Sequence, residues 1–330
     1  MSNKVKYTNS IRWGIIGCGD VTEVKSGPAF QIVKNSKLIA VMRRNGELAK
    51  DYAKRHNVPK WYDNAELLIN DSEVDAIYVA TPPSSHMEYT IAAAKVGKPI
   101  YVEKPMAMSY KESLQMIEAA DEQGVSLFVA YYRRALPRFL KVKSLIDSGA
   151  IGDIRFVNIR YYEKPREDDV NGNLHWHTNP KIAGCGYFCD LGSHIIDLVQ
   201  YLLGNIAEAA GHSSNQNKIY ETEDIVSGEF LFNSGVHGTG IWAFNASEDR
   251  DEVEIIGSKG KIIYSTFMNN PIALSNNRGV EEFSISHPKH IQQPLIESVV
   301  NDLLGKGKCP STGSTAIKTA WVMDRLLNRI

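Results

Sequence analysis

The chain has 330 residues, 43% of them hydrophobic and 23% charged, with 37 Lys plus Arg against 38 Asp plus Glu and a formal net charge of -1. That balance fits a soluble globular protein of two ordinary domains, and it lacks the broad positive field that nucleic acid or an anionic membrane surface requires. The opening residues carry no apolar secretion core, no apolar run reaches a membrane span, and the four cysteines form no CxxC pair. The expectation is therefore a cytoplasmic protein with no metal, no nucleic-acid partner and no disulfide framework.

In chain order, short β-rich runs over 11–16, 37–42, 76–80, 99–102 and 126–130 alternate with helical patterns over 46–56, 86–96 and 110–123. This alternation predicts a doubly wound α/β unit with a parallel sheet. After about residue 150 come longer strand-like runs over 154–162, 223–232, 236–244, 252–256 and 261–264, with turn chemistry at 233–235 and 258–260. They predict an α+β unit whose antiparallel meander is covered on one face, with helices over 137–147, 194–203, 295–304 and 315–327. Cys185 and Cys189, four residues apart, read as a buried thiol pair.

The turn after the first strand runs Gly17, Cys18, Gly19, Asp20, Val21. The two glycines fit the first positions of a dinucleotide fingerprint, where the turn is tight and the backbone approaches a pyrophosphate; Thr22 takes the third, helix-packing position. Gly27-Pro28 interrupts the helix that follows, and Pro28 suits the first turn of a second helical segment. After the second strand stand Arg43 and Arg44 with no carboxylate, a pair suited to the 2′-phosphate of NADP(H) rather than the free ribose of NAD(H). Thr81, Pro82 and Pro83 form a stiff loop after the next strand, where cofactor contacts are expected, and His86 after it either contacts the cofactor or begins the following helix without a chemical role.

Glu103 and Lys104 come directly after another apolar run and before Pro105, which places them at the mouth of a cleft. A lysine there donates to a carbonyl or alkoxide oxygen, and a cationic ring or partial burial lowers its pKa toward a useful range. Further on, Asp190 and His194 are four residues apart, so a helix beginning near Asp190 would project both from one face of its first turn. A carboxylate beside an imidazole is the orienter-plus-base arrangement of proton-transfer sites, although an aspartate cap beside a packed histidine gives the same spacing.

Gly17-Cys18-Gly19, Thr81-Pro82-Pro83 before His86, Glu103-Lys104-Pro105 and the Asp190-x-Gly-x-His194 element, in this order, resemble the Gfo/Idh/MocA family of oxidoreductases over nearly the whole chain. The resemblance implies a Rossmann dinucleotide-binding domain over 1–130. It implies a second α/β domain over 131–330, with a large, mostly antiparallel sheet that binds substrate and forms a homodimer or homotetramer contact. It implies hydride transfer between a nicotinamide and a sugar, cyclic polyol or dihydrodiol. Lys104, Asp190 and His194 fall on the family's catalytic positions; Lys104 would hold the reacting oxygen and His194, oriented by Asp190, would exchange its proton. Tyr132, Arg133, Trp176 and His177 fall on the substrate side. Thr22, Cys185, Tyr132 and His177 depart from the common pattern, which bears on the substrate more than on the reaction. Two alternatives share the fold: a non-catalytic nucleotide-binding regulator, and an enzyme that uses tightly held NAD for transient oxidation and elimination.

Overall fold

The computed structural model describes residues 9–330, which divide into two compact units. The first holds the chain through Leu136 together with Pro288–Ile317, and the second holds Pro137–His287 and Lys318–Ile330. The division differs from a single cut at residue 130. Residues 288–317 return to the first unit, where the Ser311 carbonyl accepts from the amide of Val129 at 3.3 Å and its hydroxyl donates to the Val129 carbonyl at 2.7 Å.

Six strands form the sheet of the first unit: β1 (Ile11–Ile16), β2 (Ser36–Met42), β3 (Lys60–Tyr62), β4 (Ala76–Val79), β5 (Ile100–Val102) and β6 (Leu127–Val129). All pairs are parallel, in the order β3-β2-β1-β4-β5-β6. Parallel strands carry helices on both faces, so β4 and β5 are buried at every residue and read as unbroken apolar runs. Ile16, Ile77, Val79, Val102 and Val129 meet helix side chains such as Leu68 and Met116 in one core. Fully burying an aliphatic side chain stabilises by about 1.5–3 kcal/mol. The strand order reverses between β1 and β4, the switch point where doubly wound sheets receive ligands at their carboxyl ends.

In the second unit the strands are β7 (Ile154–Tyr162), β8 (Ile206–Ser214), β9 (Ile225–Phe232), β10 (His237–Ala243), β11 (Arg250–Gly257), β12 (Gly260–Tyr264), β13 (Ile272–Asn276) and β14 (Gly279–Phe283). They form one sheet in the order β14-β13-β12-β11-β7-β10-β9-β8. The sheet is not a pure meander, because β10 pairs with β7 in parallel while every other pair is antiparallel. Strand β7 enters between β10 and β11, and only long-range pairing decides that. Alternate residues of β11 are buried, and Trp242 of β10 meets the edge of Phe188 at 5.2 Å on the helix-covered face. The other face carries Arg160 paired with Glu252, and Lys261 donating to Glu254 at 2.9 Å.

Candidate active site

The glycine turn leaves β1 with Gly17 at φ +89, and a Cβ there would lie 2.7 Å from Cγ2 of Thr81 and 3.0 Å from backbone atoms. Only glycine occupies that cradle without displacing the Thr81 loop. A Cβ on Gly19 would meet nothing nearer than 3.9 Å, so the turn stays open on its outer side. These features fit the approach of a dinucleotide pyrophosphate to bare backbone.

Behind the turn, the helix Asp20–Val24 stops after five residues and a second, Ala29–Ile32, starts after Pro28. The break has a local cause. The Tyr52 hydroxyl donates to the carbonyl of Thr22 at 2.8 Å, and a Cβ on Gly27 would lie 2.2 Å from that same oxygen. Thr22 is fully buried and its hydroxyl donates to the Gly19 carbonyl at 2.7 Å, so the residue at the third fingerprint position braces the turn. Burial pushes the Cys18 thiol up to about 11, which keeps it protonated and inert.

Arg43 and Arg44 follow β2 directly and are exposed. Asn45, the next residue, is committed to capping the helix Gly46–Arg55, its side chain accepting from the amide of Leu48 at 3.2 Å. The end of β2 thus presents two guanidinium groups and no carboxylate.

His86, expected at the cofactor, faces inward instead. It is fully buried, with Nδ1 3.0 Å from the Pro105 carbonyl and Nε2 2.7 Å from the Thr81 carbonyl. Its ring bridges the loop after β4 and the turn after β5. Burial lowers its pKa, while the two carbonyls favour the charged ring. The Ser85 hydroxyl donates to Thr81 Oγ1 at 2.8 Å, so the Thr81-Pro82-Pro83 loop is held from two sides.

Glu103 and Lys104 leave the carboxyl end of β5, and Lys104 precedes a cis peptide bond to Pro105. The side chain of Glu103 is buried. Lys104 is half-buried. Tyr132 and Arg133, just past β6, are nearly buried, with the Arg133 guanidinium 4.9 Å from the centre of the Tyr132 ring. The first unit therefore carries the glycine turn, the arginine pair, the Thr81 loop, Lys104 and Tyr132 at the carboxyl ends of five strands of one sheet.

In the second unit a π-helical turn, Phe188–Gly192, runs into the helix Ser193–Leu203. The helix does not begin at Asp190 as a regular α-turn. Asp190 lies in the wider turn and His194 in the α segment, and the Ser193 hydroxyl donates to the Asp190 carbonyl at 3.2 Å. The Asp190 carboxylate stands 3.6 Å from Nε2 of His177, a pairing not anticipated from the sequence. The His177 ring stacks on Trp176 with centroids 3.7 Å apart and lies 4.5 Å from the His175 ring.

His194 is buried, and Phe267 meets its ring edge-on at 5.9 Å. Phe267 sits on a turn whose amides donate to Asp251: Thr266 at 2.8 Å, Phe267 at 2.5 Å and Met268 at 2.8 Å. No local motif marks Phe267, because its support comes from another strand.

Cys185 and Cys189 form a disulfide, with Cα atoms 5.0 Å apart, which corrects the thiol-pair expectation. The tight turn through Gly186 brings the two within bridging distance just ahead of Asp190. Among the described residues no group of three or more His, Cys, Asp or Glu side chains is placed to hold a metal ion, and no helix is long and apolar enough to cross a membrane.

Comparison with known proteins places these features in a family. Residues 11–131 match the oxidoreductase family model with an NAD-binding Rossmann fold, and residues 139–263 match the GFO/IDH/MocA C-terminal domain. Oxidoreductase P35 of Formosa agariphila is 42% identical over 95% of this chain and 97% of its own length. The NAD(+)-dependent scyllo-inositol 2-dehydrogenase of Bacillus subtilis is 28% identical over 94% of this chain and 89% of its own. A levoglucosan dehydrogenase solved with NADH and levoglucosan shares the fold, with a TM-score of 0.84 at 22% identity over 96% of each chain. With both domain models matched and a relative similar along almost its entire length, the chain belongs to the Gfo/Idh/MocA family of NAD-binding oxidoreductases.

Proposed function

We propose that the chain is a dehydrogenase or reductase acting on a hydroxyl or carbonyl group of a sugar, cyclic polyol or dihydrodiol, with NADP(H) preferred over NAD(H). The observation that carries this reading is the alignment of the Gly17 cradle and Lys104 at the carboxyl ends of β1 and β5, the two strands that flank β4 in one sheet. The nicotinamide supplies the hydride acceptor or donor when bound. Gly17 and Gly19 admit its pyrophosphate to the backbone, and Arg43 and Arg44 recognise the 2′-phosphate. Lys104 holds the reacting oxygen through its ammonium N–H groups. His194 exchanges the proton of the hydroxyl, and the Asp190 carboxylate stands at His177. Trp176 and His177 supply flat rings beside Asp190, suited to the C–H face of a ring substrate.

A parallel screen of sugars, inositols and dihydrodiols with NAD and NADP, followed by absorbance of the reduced nicotinamide, tests the reading. Turnover on one of these classes is expected; none on any would favour the regulator. The uncovered face of the second unit's sheet, with its Arg160–Glu252 pair and exposed Phe156, supports a homodimer or homotetramer contact. Light scattering should give a dimer or tetramer mass, and a monomer at working concentration would remove that part.

A further inference from the structure

We infer that Gln292 and Tyr78 are positioning residues for Lys104, acting through the buried carboxylate of Glu103; the inference rests on the role proposed for Lys104. Glu103 Oε1 accepts from the Tyr78 hydroxyl at 2.5 Å and from Gln292 Nε2 at 2.6 Å. Its Oε2 accepts from the backbone amide of Lys104 at 3.2 Å. A carboxylate taken out of water keeps its place only while such donors replace its hydration. Here the three donors hold it in one orientation, and one of them is the amide of the residue whose side chain is to act.

The Gln292 amide has only one workable orientation. Its Oε1 accepts from the Tyr101 hydroxyl at 2.9 Å, and a reversed amide would set a carbonyl oxygen against the Glu103 carboxylate. Gln292 is fully buried and its own backbone amide donates to the Lys25 carbonyl at 3.1 Å. The neighbouring His290 places Nδ1 2.6 Å from the Val24 carbonyl. Through residues 290–292 the segment that returns to the first unit is thereby tied both to the end of the helix behind the glycine turn and to the Glu103 carboxylate. Tyr78 makes the same connection, its hydroxyl lying 3.1 Å from Ser26 Oγ as well as on Glu103. Burial and the charge of Glu103 raise the Tyr78 and Tyr101 pKa values well above the ordinary tyrosine value, so both remain donors. Displacing a reacting group by about 1 Å can cost about 10²-fold in rate, so a network that fixes the Lys104 backbone bears on the chemical step.

The test uses full-length enzyme with Gln292→Met, Tyr78→Phe and Gln292→Glu, with kcat normalised to sites titrated by reduced-cofactor fluorescence. Tyr78→Phe removes one donor to Glu103 while keeping shape, and Gln292→Met removes the other together with the acceptor of the Tyr101 hydroxyl. Each should lower kcat about tenfold or more, within the range expected of a misplaced group, with cofactor Kd changed by less than about threefold. In Gln292→Glu two carboxylates face each other and must share a proton. Activity of that variant should be lost near pH 9 and recover toward about pH 6, where the introduced carboxyl, once protonated, can donate as the amide does. A merely structural role would lower the number of titrated sites without changing kcat per site. Wild-type kcat per site in both Gln292→Met and Tyr78→Phe, alongside an inactive Lys104→Ala enzyme, overturns the inference and leaves the role of Lys104 standing. Should the first two variants fail to fold, a pH-independent kcat per site in Gln292→Glu overturns it equally. A fully active Lys104→Ala enzyme overturns both.

Discussion

Replacing Lys104 with Ala is expected to lower kcat by roughly 10²-fold or more, the scale of general acid and base catalysis, while reduced-cofactor affinity changes by less than about threefold. The separation follows from where the residue stands. Lys104 leaves the end of β5, whereas the glycine cradle and the arginine pair belong to β1 and β2, so truncating it leaves the phosphate contacts intact. Lys104→Arg sharpens the result, since a guanidinium keeps the charge but not the geometry or readily lost proton of an ammonium group. It should bind substrate better than the alanine variant and remain slow. Steady-state kinetics with cofactor titrations decide the matter, and a Lys104→Ala enzyme with near wild-type kcat would transfer the chemistry elsewhere or point to a regulator.

Arg43→Ala combined with Arg44→Ala should weaken NADP(H) binding by at least tenfold and leave NAD(H) within about threefold. Each charge-assisted hydrogen bond to a phosphate contributes about 1.5–3 kcal/mol, and about 1.4 kcal/mol corresponds to tenfold in affinity. Both arginines are exposed at the end of β2, and Asn45, the residue that follows them, is already capping a helix. Fluorescence titration with the four cofactor forms measures the discrimination. Equal losses for the two cofactors would remove the assignment of these residues to the 2′-phosphate. A preference for NAD(H) would then be the better reading.

Strands β1, β2, β4, β5 and β6 were legible because a parallel strand covered on both faces must be apolar almost throughout. The short edge strand β3, Lys60–Tyr62, escaped detection because three residues with one charge and two aromatics carry no period. Likewise β8 is rich in small and polar residues, and β14 leaves Val280 71% exposed, so neither bears the alternation of a half-buried strand. Within the candidate site the same contrast holds. Gly17, Arg43 and Lys104 stand out in the sequence because each follows a recognisable strand, whereas Gln292, Tyr78 and Phe267 take their contacts from partners far away in the chain. His86 stood in the expected place, but its orientation depended on carbonyls of two separate turns.

By itself the sequence determined the doubly wound first unit, the glycine turn and the absence of an acidic residue after β2, because these depend on periodicity and residue type over short spans. Only the tertiary structure decided that β7 would pair in parallel with β10, that residues 288–317 would return to the first sheet, that Cys185 and Cys189 would be bridged, and that Glu103 would turn inward. The physical reason is that a buried polar group or a strand edge takes its partner from whichever chain segment packing brings alongside, and a local pattern holds no record of that segment.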